Sequence, residues 1–194
     1  MRLVNFGYFG HMWELYAMWS WFGAYFAESL RVVGVLDARL AAFGTFVVVG
    51  SGAIGCYAGG VLGDRWGRTR TTALAMTVSG TCAGLSAIVF GAAPAIVLAL
   101  GIVWGVSVIA DSAQFSTMIT EVADQSYIGT ALTAQMAAGF LLTVATIWII
   151  PLARDAFGWQ WAFLILVPGP ALGVLAMLRL RGRPEASRIA GGLG

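Results

Sequence analysis

Six stretches of this chain, roughly 4–28, 40–62, 72–91, 94–116, 128–150 and 160–179, each run for about twenty residues with hardly a charge. A bilayer core of ~30 Å is crossed by about 20 apolar helical residues, so the pattern predicts six membrane-crossing helices. The breaks between the stretches hold turn residues or charge: Arg31 to Arg39, Asp64 to Arg70, Gly91 to Pro94, Gln114 to Tyr127 and Pro151 to Gly158. None is long enough for a second, soluble domain. The division expected is a six-span bundle over 1–180 followed by a tail over 181–194.

Composition excludes the soluble alternative. Hydrophobic residues are 59% of the chain and charged ones 10%, against roughly 25% charged in an average soluble domain. All eleven basic residues are arginines, and they are scattered at loop positions. They form no stripe of the kind that binds nucleic acid. Cys56 and Cys82 lie in apolar runs without metal-ligand spacing and read as buried free thiols. A glycine loop for nucleotide, a metal cluster and a catalytic constellation are all missing from the sequence, and His11 is the single histidine. The expectation is a protein without enzymatic activity, cofactor or metal.

Arginine counting sets the orientation. Six spans put both termini on one side, with Arg2, Arg65, Arg68, Arg70, Arg179, Arg181, Arg183 and Arg188; the other side holds Arg31, Arg39 and Arg154. Both termini are therefore expected in the cytoplasm, with the chain in a bacterial inner membrane.

Small residues recur every fourth position in the second stretch, at Ser51, Gly55, Gly59 and Gly63. Such a ridge admits a second helix at close range. Packing within the bundle and a sliding interface to another bundle both fit it.

Between the second and third stretches lies GGVLGDRWGRTRTT, residues 59–72. Gly67 permits a turn with positive φ, and Asp64 is an acid in need of a partner, either Arg65, Arg68 or a helix N-terminus. This loop resembles the signature G-x-L-[AG]-D-R-x-G-R-[KR] of the major facilitator superfamily. Gly60, Leu62, Gly63, Asp64, Arg65, Gly67 and Arg68 match; Thr69 stands where the pattern has a base, and Arg70 follows one position late. The resemblance implies a gating loop made of Gly60, Asp64, Arg65, Gly67, Arg68 and Arg70. It also implies an all-α membrane fold in which six spans form one half of a twelve-span carrier. The fourth stretch lacks an arginine and the fifth lacks an internal proline, so the chain is read as similar to the C-terminal half. A lone half would turn its polar cavity face to lipid. A second six-span half is therefore expected, as a separate chain, a missing N-terminal half or a second copy.

His11 and Glu14 share one helical stripe with Trp21 and Tyr25, and the fourth stretch carries a second, with Trp104, Ser107, Asp111 and Gln114. The resemblance places these two spans around the central cavity. At ~1.5 Å per residue Glu14 lies about 18 Å from Arg2, and Asp111 about 15 Å from Glu121, so the groups fall at similar depth. Intramembrane acids are costly and mark ion or proton routes. Glu14 and Asp111 are the expected proton acceptors. His11 tunes Glu14 or meets solute, and Gln114 and Ser107 offer neutral hydrogen bonds. Trp21, Tyr25 and Trp104 are the aromatic candidates for the cavity. The function expected is secondary active transport of a small solute, coupled to protons, by alternating access. The alternative is a non-transporting remnant, sensor or scaffold with the same half-fold.

Overall fold

The computed structural model describes Met1–Gly194 and contains helices and turns without a strand. In chain order the helices are α1 (Arg2–Val32), α2 (Ala38–Gly50), α3 (Gly52–Trp66), α4 (Arg68–Val89), α5 (Pro94–Ala110), α6 (Ser112–Val122), α7 (Ile128–Phe157), α8 (Trp159–Ala162) and α9 (Pro168–Arg181). Short 3-10 segments cover Gln125–Tyr127, Phe163–Leu166 and Pro184–Gly192.

Five helical rods are long and apolar enough to cross a membrane: Ala38–Trp66, Arg68–Val89, Pro94–Val122, Gln125–Phe157 and Trp159–Arg181. The chain is thus built as an integral membrane protein. The first of the six expected spans stands outside this set. α1 has ample length at 31 residues, but its tyrosines and tryptophans, with Asn5, His11 and Glu14, dilute its aliphatic content.

Two of the rods are jointed at a single residue. Ser51 separates α2 from α3, and its hydroxyl donates to the Val48 carbonyl at 2.7 Å. Asp111 separates α5 from α6 with φ −92° and ψ −15°. Other junctions are set by local side chains and backbone. Asp37 caps α2, its Oδ1 accepting from Arg39 N at 2.8 Å and Leu40 N at 3.0 Å. Gly67, at φ 94°, is the whole connection between α3 and α4.

One boundary needs correcting. Pro151 was expected to open a loop, yet α7 runs through it to Phe157 and stops at Gly158, φ 81°. A proline inside a helix orphans the carbonyl four residues before it. Here that carbonyl belongs to Ile147, and Trp21 Nε1 donates to it at 2.9 Å. The fifth of the six expected spans therefore does contain an internal proline, and a side chain from α1 makes it tolerable.

α1 runs through the centre of the bundle and packs most extensively on α9 and α7. Its meeting with α9 is backbone to backbone, because a Cβ on Gly10 would overlap the Gly169 carbonyl. The ridge on α3 works the same way. Cβ atoms on Gly55 and Gly59 would overlap the carbonyls of Val106 and Ala110 on α5, so the ridge is spent on packing inside this bundle. Outward faces are apolar: Phe46, Tyr57, Leu141 and Trp148 are each at least 73% exposed, as lipid contact allows and water does not. Cys82 is buried as expected, whereas Cys56 is exposed on the outer face of α3.

Candidate functional site

The two polar stripes meet in the middle of the bundle. α1 crosses the α5–α6 rod so that His11 faces Asp111 and Glu14 faces Trp104, in antiparallel order, one turn apart along α1 and two turns apart along the rod. His11 Nδ1 lies 2.9 Å from Asp111 Oδ1. Neither atom makes a directed hydrogen bond, so the contact is one of proximity. Glu14 is better held. Its Oε1 accepts from Trp104 Nε1 at 2.7 Å and its Oε2 from Ser79 Oγ at 2.8 Å.

This cluster is sealed. His11, Glu14 and Asp111 are each at most 2% exposed, and Trp104 is fully buried. None of the five principal cavities includes them. Phe115 lies beside the His11 ring at 5.7 Å between centroids, and Phe163 stands edge-on to Trp104 at 5.3 Å. The groups were expected in one wet pocket. They share a place, but apolar rings close it from water.

The remaining candidates divide. Trp21 serves the Ile147 carbonyl, and the Tyr25 hydroxyl donates to the Ser86 carbonyl at 2.6 Å. Both hold helices together. Ser107 returns its hydroxyl to Val103 on its own helix, 2.8 Å away. Gln114 leaves the cluster altogether. Its Nε2 donates to the Gly59 carbonyl at 2.9 Å, and its Oε1 accepts from Arg68 Nη1 at 3.1 Å.

That bond joins α6 to the α3–α4 turn. Arg68 Nε points between the two oxygens of Glu121, at 3.0 and 3.1 Å, and its Nη1 reaches Asp64 Oδ1 at 3.2 Å. Asp64 does find Arg68 as its partner, but with 71% of its side chain exposed. Such a surface contact is weak; the Glu121 pair, at 14% and 22% exposure, is the stronger brace. Arg65 and Arg70 are exposed and outside every ion pair, and a Cβ added to Gly60 would point into open space. Residues beyond 181 do not hang free. Ile189 is fully buried, and Ala190 N donates to Glu121 Oε2 at 3.3 Å.

Ser79 and Glu121 are the two groups that sequence reasoning passed over. Ser79 sits in an unremarkable small-residue helix and gives no signal. Glu121 does give one: it lies seven residues after Gln114, two turns along the same face of α6.

No family model matches the chain, and neither a curated protein nor a solved structure does.

Proposed function

We propose that the chain is one six-span half of a proton-coupled secondary carrier similar to the major facilitator superfamily, acting by alternating access on a small solute together with a second half. The observation that carries this reading is the sealed ladder His11–Asp111 and Glu14–Trp104. Two acids from separate segments lie buried in an apolar core, where a carboxylate is expensive unless paired or protonated. A static fold has cheaper ways to join two helices. A carrier has a use for acids whose access to water changes with conformation. The loop residues Asp64, Arg65, Gly67 and Arg68 support the family resemblance, with Gly67 in the backbone region that the turn requires. On this reading α1 is the sixth span, the sealed cluster belongs to an occluded conformation, and both termini lie in the cytoplasm of a bacterial cell.

The test is solute-driven proton movement in proteoliposomes holding the chain in its native assembly, read with an entrapped pH dye. Sugars, organic acids and organic amines form the solute panel. Proton flux that Glu14→Gln and Asp111→Asn each abolish supports the proposal. Flux that survives both with its pH dependence intact overturns the proton assignment.

A second reading rests on the same burial. Glu14 has both oxygens satisfied inside the bundle, which a non-transporting scaffold or sensor would equally retain. A wild-type assembly that moves neither solute nor proton across the panel favours it.

A further inference from the structure

One apolar cavity lies apart from the buried acids. It is a trough of about 540 Å³ on the outside of the bundle, between α1 and α9, with Leu142 of α7 on its flank. Its floor is the close crossing of Gly10 and Gly169, which have no side chains to fill it. Trp13 closes one end, held by its Nε1 donating to the Ile165 carbonyl at 2.9 Å. Arg179 stands at the other end and is the one charged residue of the lining.

At that end the trough opens into a second cavity of about 460 Å³. Leu3 and Phe6 line both, and the second adds Arg2, Arg183 and Glu185. Arg2, Arg179 and Arg183 are all exposed, and none lies within ion-pair distance of a carboxylate. Three free guanidinium groups against one acid make the mouth positive. The chain's other open-faced cavity on α9, beside Thr77 and Thr81, has no charged residue in its lining.

Length separates the candidate occupants. From Arg179 back to Pro168 is eleven residues of α9, and from Leu3 to Trp13 is ten of α1; both span roughly 15–16 Å. That is about half of a ~30 Å hydrocarbon core. The trough therefore runs from the membrane surface to the bilayer midplane and stops there. A solute bound for the interior has no reason to sit on the outer wall, and a packed helix from another protein would not end at the midplane. An acyl chain in one leaflet does, and its headgroup then lies among the arginines.

We propose that this composite groove is a binding site for an anionic glycerophospholipid of the arginine-rich leaflet. One acyl chain fills the α1–α9 trough, and the phosphate sits among Arg2, Arg179 and Arg183. Basic pockets at helix ends recognise anionic headgroups through charge, and each arginine near the surface adds to the preference. The site depends only on the chain's being embedded in a bilayer, not on its transporting anything.

The test is lipid retention by the full chain. Protein is equilibrated with equal amounts of phosphatidylglycerol and phosphatidylcholine in mixed micelles and analysed by native mass spectrometry. Wild type is expected to keep phosphatidylglycerol over phosphatidylcholine by about tenfold or more, from at least two arginine contacts. Arg179→Gln with Arg183→Gln brings the two lipids close to parity. Leu172→Trp, at a trough residue that is 63% exposed, lowers retention of both without disturbing the core. Arg154→Gln, at the opposite end, leaves the preference unchanged. Equal retention by wild type overturns the proposal. So does a preference that persists in the double arginine variant, undiminished lipid retention by Leu172→Trp, or a preference that Arg154→Gln removes just as well.

Discussion

Trp21 donates its indole N–H to the carbonyl of Ile147, the oxygen that Pro151 leaves without a helical partner. A kink-prone position in α7 is thereby secured by a residue of α1, 126 positions away. Trp21→Phe keeps the ring and removes the donor, leaving a half-buried carbonyl unpaired. The expected cost is about 1–2 kcal/mol, read by chemical unfolding in detergent. Adding Pro151→Ala restores an N–H to α7, so the Trp21→Phe cost should shrink in that background. Equal costs in both backgrounds would separate the two residues.

His11 and Asp111 are expected to be strongly coupled. His11→Leu strands Asp111 in an apolar core, and removing one member of a buried pair costs about 3–5 kcal/mol. The double exchange His11→Leu with Asp111→Leu removes the stranded carboxyl group as well. It should unfold later in denaturant than either single variant, with tryptophan fluorescence as the readout. A double variant no more stable than the singles means that the pair is not a unit.

Gly55 and Gly59 touch backbone, whereas Gly84 on α4 has nothing within reach of an added Cβ. Gly59→Ala must force α3 away from α5, at a cost of about 1–3 kcal/mol. Gly84→Ala should be neutral or stabilising by up to about 1 kcal/mol, since alanine is the better helix former. Thermal unfolding of the two variants side by side distinguishes them. Similar shifts in both would mean that the α3–α5 approach is less intimate than described.

Glu121 holds Arg68 on one side and the Ala190 amide on the other. Glu121→Gln keeps the size and removes the charge, so both contacts weaken. Hydrogen exchange at residues 186–190 is expected to quicken about tenfold, since a hydrogen bond to a charged group contributes about 1.5–3 kcal/mol. Exchange in α4 below Arg70 should stay unchanged. Uniform acceleration through the whole chain would instead indicate general destabilisation.

Much of the architecture was legible because its causes are local. Apolar runs near twenty residues, the Asp37 cap, and the turns at Gly67 and Gly158 each depend on a few neighbouring side chains. The stripes on α1 and α5 were legible too, since helical periodicity alone puts His11 with Glu14 and Trp104 with Asp111. Pro151 misled for the same reason: its local preference is to end a helix, and the group that overrides it comes from α1. Ser79, the brace from Glu121 to Arg68 and the docked Ile189 were hidden likewise, because each takes its meaning from a partner more than fifty residues distant.

Sequence alone determined that this chain is helical, that it belongs in a membrane, and that its unusual polar groups sit on two particular helices. Those properties follow from solvent partition and from the 3.6-residue repeat, which act on every short segment independently. Only the tertiary structure decided which acid meets which donor, that the cluster is shut from water, and that the open groove lies on the outer wall. Those depend on how closely helices approach, and that distance is set where glycine backbones such as Gly10 and Gly169 touch.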